Sequence, residues 1–106
     1  METHSKTDQN PLVSIITVNY NTPDHVCELL TSIQANNYKN VEVIVVDNAS
    51  TKNDASIISS RFPEAKLVLS PVNLGFAAGN NLGIKEAKGD YIFFVNAFNR
   101  KNSQSF

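Results

Sequence analysis

Four short apolar runs, separated by helix-like segments, constrain the fold of this chain more than any other feature of its sequence. They cover residues 13–18, 41–46, 67–69 and 91–95. The first two consist mainly of valine and isoleucine, which is typical of strands that are buried on both faces of a parallel sheet. Alternation of such strands with helices predicts an α/β fold whose right-handed crossovers place helices on the faces of a parallel sheet.

The first intervening segment has the clearest helical pattern. Its apolar residues recur three and four positions apart and form one stripe, made of Val26, Leu29, Leu30 and Ile33. Thr22 is suited to cap this helix, Pro23 to occupy its first position, and Asp24 to face the positive end of its dipole. The pattern therefore predicts a helix that starts at Pro23.

Two further helices are predicted, over residues 53–62 and 76–88. The residues expected to face the sheet are Ile57, Ile58 and Phe62 in the former and Ala78, Leu82 and Ala87 in the latter. Pro63 ends the former helix and Gly89 the latter. The latter also contains Gly79 and Gly83, four positions apart, which lower its helical propensity.

Length and composition predict one compact domain. The chain has 106 residues, of which 42% are hydrophobic, and this is enough for a single core. Residues 1–10 are polar and aperiodic and are expected to form a disordered lead-in, while residues 11–96 carry the domain. Residues 97–106 are expected to form a polar, irregular tail.

Charge and cysteine content limit the partners and the compartment. Nine Lys plus Arg face ten Asp plus Glu without a basic run, so no nucleic acid partner is expected. Cys27 is the single cysteine and cannot form an internal disulfide. No export signal begins at Met1, and no apolar stretch approaches the roughly 20 residues that span a bilayer. These features predict a cytoplasmic location.

The loops that follow the strands are the candidate sites, because ligands of open α/β sheets bind outside the carboxyl ends of the strands. After the first strand comes Asn19-Tyr20-Asn21-Thr22, whose amides and ring can bind and stack on a base. A turn with a helix cap is the more frequent use of such residues. The loop lacks the dinucleotide fingerprint and the phosphate loop, and it lacks the acidic pair of a receiver domain.

The second strand ends in Asp47-Asn48-Ala49-Ser50-Thr51. A carboxylate or amide at this edge can hydrogen-bond an imide such as the uracil edge. Alternatively, Asp47 or Ser50 only caps the second helix.

The segment after the third strand, residues 70–83, combines glycine with asparagine. Gly75 opens a helix whose first backbone N–H groups can face a phosphate, and Asn73, Asn80 and Asn81 add neutral hydrogen-bonding groups. Alternatively, the glycines only permit close packing of the helix on the sheet.

Four phrases, in this order, resemble family 2 glycosyltransferases. They are Val-Ser-Ile-Ile-Thr-Val-Asn-Tyr-Asn, Val-Ile-Val-Val-Asp-Asn-Ala-Ser-Thr, Asn-Leu-Gly-Phe-Ala-Ala-Gly-Asn-Asn-Leu-Gly-Ile and Gly-Asp-Tyr-Ile-Phe-Phe-Val-Asn. The resemblance covers residues 12–96 and is strongest to the rhamnosyltransferase-like branch. It implies the first half of a GT-A fold, a Rossmann-like three-layer parallel sheet with strand order 3-2-1-4.

The resemblance also implies a site for the nucleotide of a nucleotide-diphospho-sugar donor. Val18, Asn19 and Tyr20 would surround the base and ribose, with Asp47 or Asn48 on the base edge. The loop over residues 73–81 would flank the ribose and diphosphate. The residues implied from this loop and from the end of the fourth strand are Asn73, Gly75, Phe76, Asn80, Asn81 and Asn96.

The complete enzyme would transfer the sugar with inversion to a hydroxyl acceptor in cell-surface polysaccharide synthesis, and a membrane-associated acceptor is compatible with this role. In the family, the acceptor site and the general base lie in a later half, so this chain is expected to be a truncated and inactive fragment with no catalytic residue. The alternative is a non-catalytic nucleotide-binding or interaction module.

At the fourth strand the sequence departs from the family. Relatives carry Asp-x-Asp or Asn-x-Asp there, whose last carboxylate helps to hold a divalent cation, Mn²⁺ or Mg²⁺, on the donor diphosphate. This chain has Asn96-Ala97-Phe98, and a phenyl ring cannot ligate a hard cation. No metal ligand or cofactor is therefore expected in this chain. The fourth strand is also expected to present an unpaired apolar edge, through which the chain associates with itself or over which the tail at residues 97–106 folds back.

Overall fold

The computed structural model describes residues 10–51 and 55–97. Within them the chain forms strand β1 (Val13–Asn19), helix α1 (Pro23–Ala35), β2 (Val41–Asn48), α2 (Ser56–Arg61), β3 (Lys66–Ser70), α3 (Gly75–Ile84) and β4 (Tyr91–Phe94). The four strands form one parallel sheet in the order β3-β2-β1-β4. The predicted α/β class and strand order are thus confirmed.

The sheet separates two apolar clusters, because successive side chains of a strand point to opposite faces. On one face, α1 and α2 cover Ile15 and Val45. On the other face lie Ile16, Ile44 and Val46, against which the α3 side packs Leu82 and, just past the helix, Ala87. The result is the three-layer arrangement that the sequence predicts.

The structure corrects three details of the predicted helices. Thr22 lies before α1 but makes no side-chain cap, since its Oγ1 donates to Asn19 Oδ1 at 3.2 Å instead. Ile57 is exposed, because the short helix α2 turns only Ile58 toward the core. Ala78 is exposed as well, because the buried face of α3 is the one that carries Gly79 and Gly83.

Helix α3 also ends earlier than predicted, at Ile84 rather than residue 88. The chain tightens there into i→i−3 turns, in which Glu86 N donates to Gly83 O and Ala87 N to Ile84 O. Lys88 N then donates to Glu42 Oε2 at 2.6 Å, and Gly89 N donates to Ser14 Oγ at 2.8 Å. These bonds tie the start of β4 to the central strands.

Several predictions fall outside the described residues. They are the lead-in over residues 1–9, the start of the second helix at residues 53 and 54, and the tail from Phe98 onward. Among residues 10–51 and 55–97, no helix has the length and apolar content needed to cross a membrane.

Candidate functional site

Buried polar side chains collect where β1, β2 and β3 end. The register pairs Asn19 with Asp47 and Asn48 with Ser70, so that these four residues form a row across the carboxyl edge of the sheet. All four are buried, whereas the preceding strand positions are mainly apolar. Buried polar groups require hydrogen-bond partners, so the bonds of this row define the geometry of the edge.

Asp47, 7% exposed, lies at the centre of one network on this edge. Its Oδ1 accepts from Asn19 Nδ2 at 2.9 Å and from Ser50 Oγ at 2.5 Å, and its Oδ2 accepts from Ser50 N at 3.3 Å. An ionised carboxylate offers about four acceptor positions. The described residues thus fill Oδ1 and leave room on Oδ2 for one more donor.

The same network joins the two loops that follow β1 and β2. Asn21 N donates to Ser50 Oγ at 2.9 Å, and Thr51 N donates to Asn21 Oδ1 at 2.9 Å. Asn21 and Ala49 adopt positive φ values of 59° and 63°. Because left-handed backbone is unfavourable for a residue with a Cβ, these loops are held in shape by their mutual bonds.

The structure excludes the alternative in which Asp47 or Ser50 caps the second helix. Helix α2 has Ala55 at its N-cap and no side-chain cap. The bonds of Ser50 instead go to Asp47 and to the loop after β1. Sequence reasoning treated Ser50 only as a cap, although a serine three residues after an aspartate is a known local hydrogen-bonding pattern.

A second network, on the β3 side, is centred on Asn48. Its Nδ2 donates to Gly75 O at 3.0 Å, and its Oδ1 accepts from Leu74 N at 2.7 Å. Asn73 Oδ1 accepts from Gly75 N at 2.8 Å. The side chains of Asn48 and Asn73 therefore fix the backbone at Leu74 and Gly75, where the loop meets α3.

The beginning of α3 projects beyond this edge. Gly75 has a φ of 82°, which favours glycine, and Phe76 is exposed. One turn later, a Cβ at Gly79 would lie 3.3 Å from Val18 Cγ2, and one at Gly83 would lie 2.6 Å from Ile16 Cγ2. Gly79 and Gly83 thus serve close packing, as the alternative interpretation of the sequence holds, whereas Gly75 serves the turn.

The remaining predicted residues differ in their exposure. Tyr20 is exposed directly after Asn19, and Val18 is half-buried. Asn80 is 9% exposed, and its Oδ1 is buried without a hydrogen-bond partner among the described residues. Asn81 and Asn96 are exposed, and Asn96 follows β4 at the same edge of the sheet.

The electrostatics of the described residues do not provide a metal site or an activated nucleophile. No group of three His, Cys, Asp or Glu side chains that could hold a metal ion occurs within residues 10–51 and 55–97. Burial raises the pKa of the Cys27 thiol, which lies on the buried face of α1. The amide, carboxylate, hydroxyl and ring groups at this edge can hydrogen-bond and stack with a polar ligand.

Comparison with known proteins identifies relatives that are glycosyltransferases. The model of the family described as Glycosyl transferase family 2 matches residues 14–97. An uncharacterised glycosyltransferase of Haemophilus influenzae is 36% identical over 90 residues, which are 82% of this chain and 36% of that protein. The UDP-Glc:alpha-D-GlcNAc-diphosphoundecaprenol beta-1,3-glucosyltransferase WfaP of Escherichia coli is 34% identical over 88 residues, 81% of this chain and 35% of that protein.

Solved structures show the same similarity. The mannosyltransferase PcManGT from Pyrobaculum calidifontis in complex with GDP-Man and Mn²⁺ has a TM-score of 0.71 and 28% identity, over 83% of this chain and 28% of that chain. TarS 1-349 of S. aureus in complex with UDP-GlcNAc has a TM-score of 0.69 and 28% identity, over 81% and 26%. The chain thus spans about a third of the length of the two relatives from H. influenzae and E. coli named above.

Proposed function

The chain belongs to glycosyl transferase family 2, and from that premise we propose that residues 11–96 bind the nucleotide part of a nucleotide-diphospho-sugar donor. The observation that carries this proposal is the convergence of polar side chains from β1, β2 and β3 on one sheet edge. Open α/β sheets bind their ligands at this edge. Two solved relatives are complexes with GDP-Man and with UDP-GlcNAc.

In this proposal the two networks serve the two ends of the nucleotide. Asp47 accepts an N–H of the base edge on Oδ2, while Asn19 and Ser50 hold its carboxylate in place. The exposed ring of Tyr20 and the side chain of Val18 border the base and ribose. The beginning of α3 faces the diphosphate, since the first N–H groups of a helix attract anions. The residues that flank the ribose and diphosphate are Asn73, Gly75, Phe76, Asn80, Asn81 and Asn96.

In this proposal, a family member of full length uses this domain to bind the donor and transfers its sugar to a hydroxyl group with inversion. The acceptor oxygen forms a bond to the anomeric carbon as the bond to the diphosphate oxygen breaks. A general base takes the hydroxyl proton, and the nucleoside diphosphate leaves. The name of the E. coli relative supports a lipid-linked acceptor and a role in surface polysaccharide synthesis. The buried free thiol of Cys27 fits a reducing, cytoplasmic location.

Binding of nucleoside diphosphates tests the proposal. We expect titration of the ¹⁵N-labelled chain with UDP, TDP and GDP to perturb the amides near Tyr20, Asp47 and Asn73, with an affinity of roughly 1 mM. Asp47→Asn is the matched variant, because it keeps the size of the side chain and removes its charge; it should weaken binding. Amide chemical-shift changes that are absent, or uniform across the chain, at high ligand concentration would contradict a nucleotide site at this edge.

The residues at the end of β4 do not fit the divalent cation that accompanies GDP-Man in the mannosyltransferase structure. The side chain of Ala97 is buried and has no ligand atom, and the sequence has Phe98 where the pattern implied by the family resemblance has a carboxylate. Among the side chains of the triplet 96–98, Asn96 alone carries an oxygen, and hard cations need several oxygen ligands. No step of the binding proposed for this chain therefore involves a cation.

This mismatch leads to a prediction about metal dependence. Mn²⁺ should not strengthen UDP binding by the unaltered chain, whereas Phe98→Asp should introduce a dependence on Mn²⁺ of roughly threefold or more. The measurement is the same titration with and without Mn²⁺, and Phe98→Asn is the uncharged control. Stronger binding with Mn²⁺ in the unaltered chain would show that other residues ligate the cation.

The departure at Phe98 favours a second candidate function, a nucleotide-binding or interaction module without turnover. The two candidates differ in whether the chain releases UDP from UDP-GlcNAc. Release above the uncatalysed rate would favour the enzyme, and binding without release would favour the module.

We also propose that β4 pairs with a second copy of the chain. β4 is the last strand of the sheet, and its four side chains are 38–58% exposed. Unpaired strands with apolar side chains readily pair with another chain.

A further inference from the structure

Asn48 differs from the other polar residues of the edge in what its side chain contacts. It is only 3% exposed, and its carbonyl and amino groups both bond the backbone of the loop before α3. The bonds are 3.0 Å from Nδ2 to Gly75 O and 2.7 Å from Leu74 N to Oδ1. Both ends of this amide therefore bond the loop before α3, whereas the carboxylate of Asp47 bonds Asn19 and Ser50 on the other side.

We propose that Asn48 is a positioning residue that fixes the first turn of α3 for the donor diphosphate and does not itself contact the donor. The inference rests on the proposed function. It assigns Asp47 to the base edge and Asn48 to the scaffold, although both are adjacent residues of β2. Because successive side chains of a strand point to opposite faces, one residue holds the loop after β1 and the next holds the loop before α3.

The loop before α3 needs such a bond because it has no helix cap of the usual kind. Leu74 occupies the N-cap position and makes no side-chain cap. Its side chain cannot accept a hydrogen bond, so the orientation of the first turn depends on bonds from elsewhere. Asn48 supplies two of these bonds, and Asn73 supplies a third to Gly75 N.

The packing of α3 places Asn48 in direct contact with the helix as well. A Cβ at Gly79 would lie 3.5 Å from Asn48 Nδ2, so the helix approaches this side chain without an intervening group. Asn48 thus links the end of β2 to two successive turns of α3. Loss of the Asn48 amide should therefore shift the start of α3 more than it shifts the loop around Asp47.

A comparison of uridine with UDP separates positioning from general damage. In the wild-type chain, we expect the diphosphate to improve affinity over uridine by about tenfold. Asn48→Ala should remove most of this tenfold advantage while the affinity for uridine stays within about twofold. Hydrogen exchange of the Leu74 amide should also become about tenfold faster.

Two variants serve as controls. Asn48→Asp keeps an acceptor for Leu74 N–H, so the Leu74 amide of this variant should exchange as slowly as in the wild-type chain. That result would show that the faster exchange in Asn48→Ala comes from the lost hydrogen bond and not from unfolding. Asn36→Ala removes a comparable bond, from Tyr38 N to Asn36 Oδ1 at 2.9 Å, in the turn between α1 and β2. It should change neither Leu74 exchange nor the ratio of UDP to uridine affinity.

The inference is overturned if Asn48→Ala leaves Leu74 exchange unchanged, or if uridine and UDP weaken by the same factor. If the wild-type chain binds neither ligand, the proposed function fails. The Leu74 exchange of the three variants then still decides whether Asn48 holds the loop. Failure of the function and failure of the positioning role therefore give different results.

Discussion

Burial of Cys27 is expected to lower the chemical reactivity of its thiol. Its thiol lies on the buried face of α1, in the core cluster, and burial raises its pKa above the usual 9.0. Thiolate is the reactive form, so a disulfide reagent at pH 8 should react at least ~100-fold more slowly with the folded chain than with the chain in urea. Equal rates in the two states would contradict the buried position.

The raised pKa also sets the sign of a pH effect on stability. The folded state holds the thiol proton more tightly than the unfolded state, so this contribution is complete below pH 9.0 and is lost as the pH rises above it. Cys27→Ala should remove that component of the alkaline loss in the free energy of unfolding.

The sequence predicted which residues line the candidate site but not the hydrogen bonds between them. Asn19, Asp47 and Asn48 could be placed on one edge because the carboxyl ends of parallel strands converge. The central position of Ser50 depends on the loop conformation, including the positive φ of Asn21 and Ala49. Asparagine tolerates this conformation without requiring it and alanine rarely adopts it, so the network becomes visible only in three dimensions.

At the scale of elements, Gly83 controls how closely α3 lies on the sheet. A Cβ at this position would be 2.6 Å from Ile16 Cγ2 and 3.1 Å from Val46 Cγ2. Gly83→Ala should therefore lower the free energy of unfolding by about 1–2 kcal/mol, because overpacking exceeds the gain in helix propensity. Urea denaturation measures the change.

Gly79→Ala is the graded control for this effect, since its added Cβ meets Val18 Cγ2 at 3.3 Å. Gly79→Ala should lower the free energy of unfolding by less than Gly83→Ala does. An equal or greater loss at Gly79 would show that the contact with the sheet is not the cause.

The elements that sequence patterns predicted best are those whose signals are local. α1 starts at Pro23 as predicted, because its apolar stripe and its proline lie within the helix itself. The end of α3 was placed four residues too late, because the chain leaves the helix toward Glu42 and Ser14, which are distant in sequence. The sequence of the helix itself contains no pattern that predicts such long-range hydrogen bonds.

At the scale of the whole molecule, the order of the strands followed from the resemblance to glycosyltransferases and is confirmed. Residue periodicity alone indicated a parallel sheet but could not order its strands. The order places β3 and β4 at the two edges, and only β4 has all four of its side chains exposed. The two edges of the sheet are therefore not equivalent.

The exposed side chains of β4 lead to the prediction of weak self-association. Tyr91, Ile92, Phe93 and Phe94 together offer on the order of 450 Å² per copy, below the roughly 800 Å² per partner of a stable interface. We therefore expect the mean mass from light scattering to rise only at concentrations of roughly 0.1 mM or more. Phe94→Lys should keep the chain monomeric, whereas Ile57→Lys, at an exposed apolar position on α2, should not. A wild-type chain that stays monomeric at high concentration, with freely exchanging β4 amides, would contradict pairing through this strand.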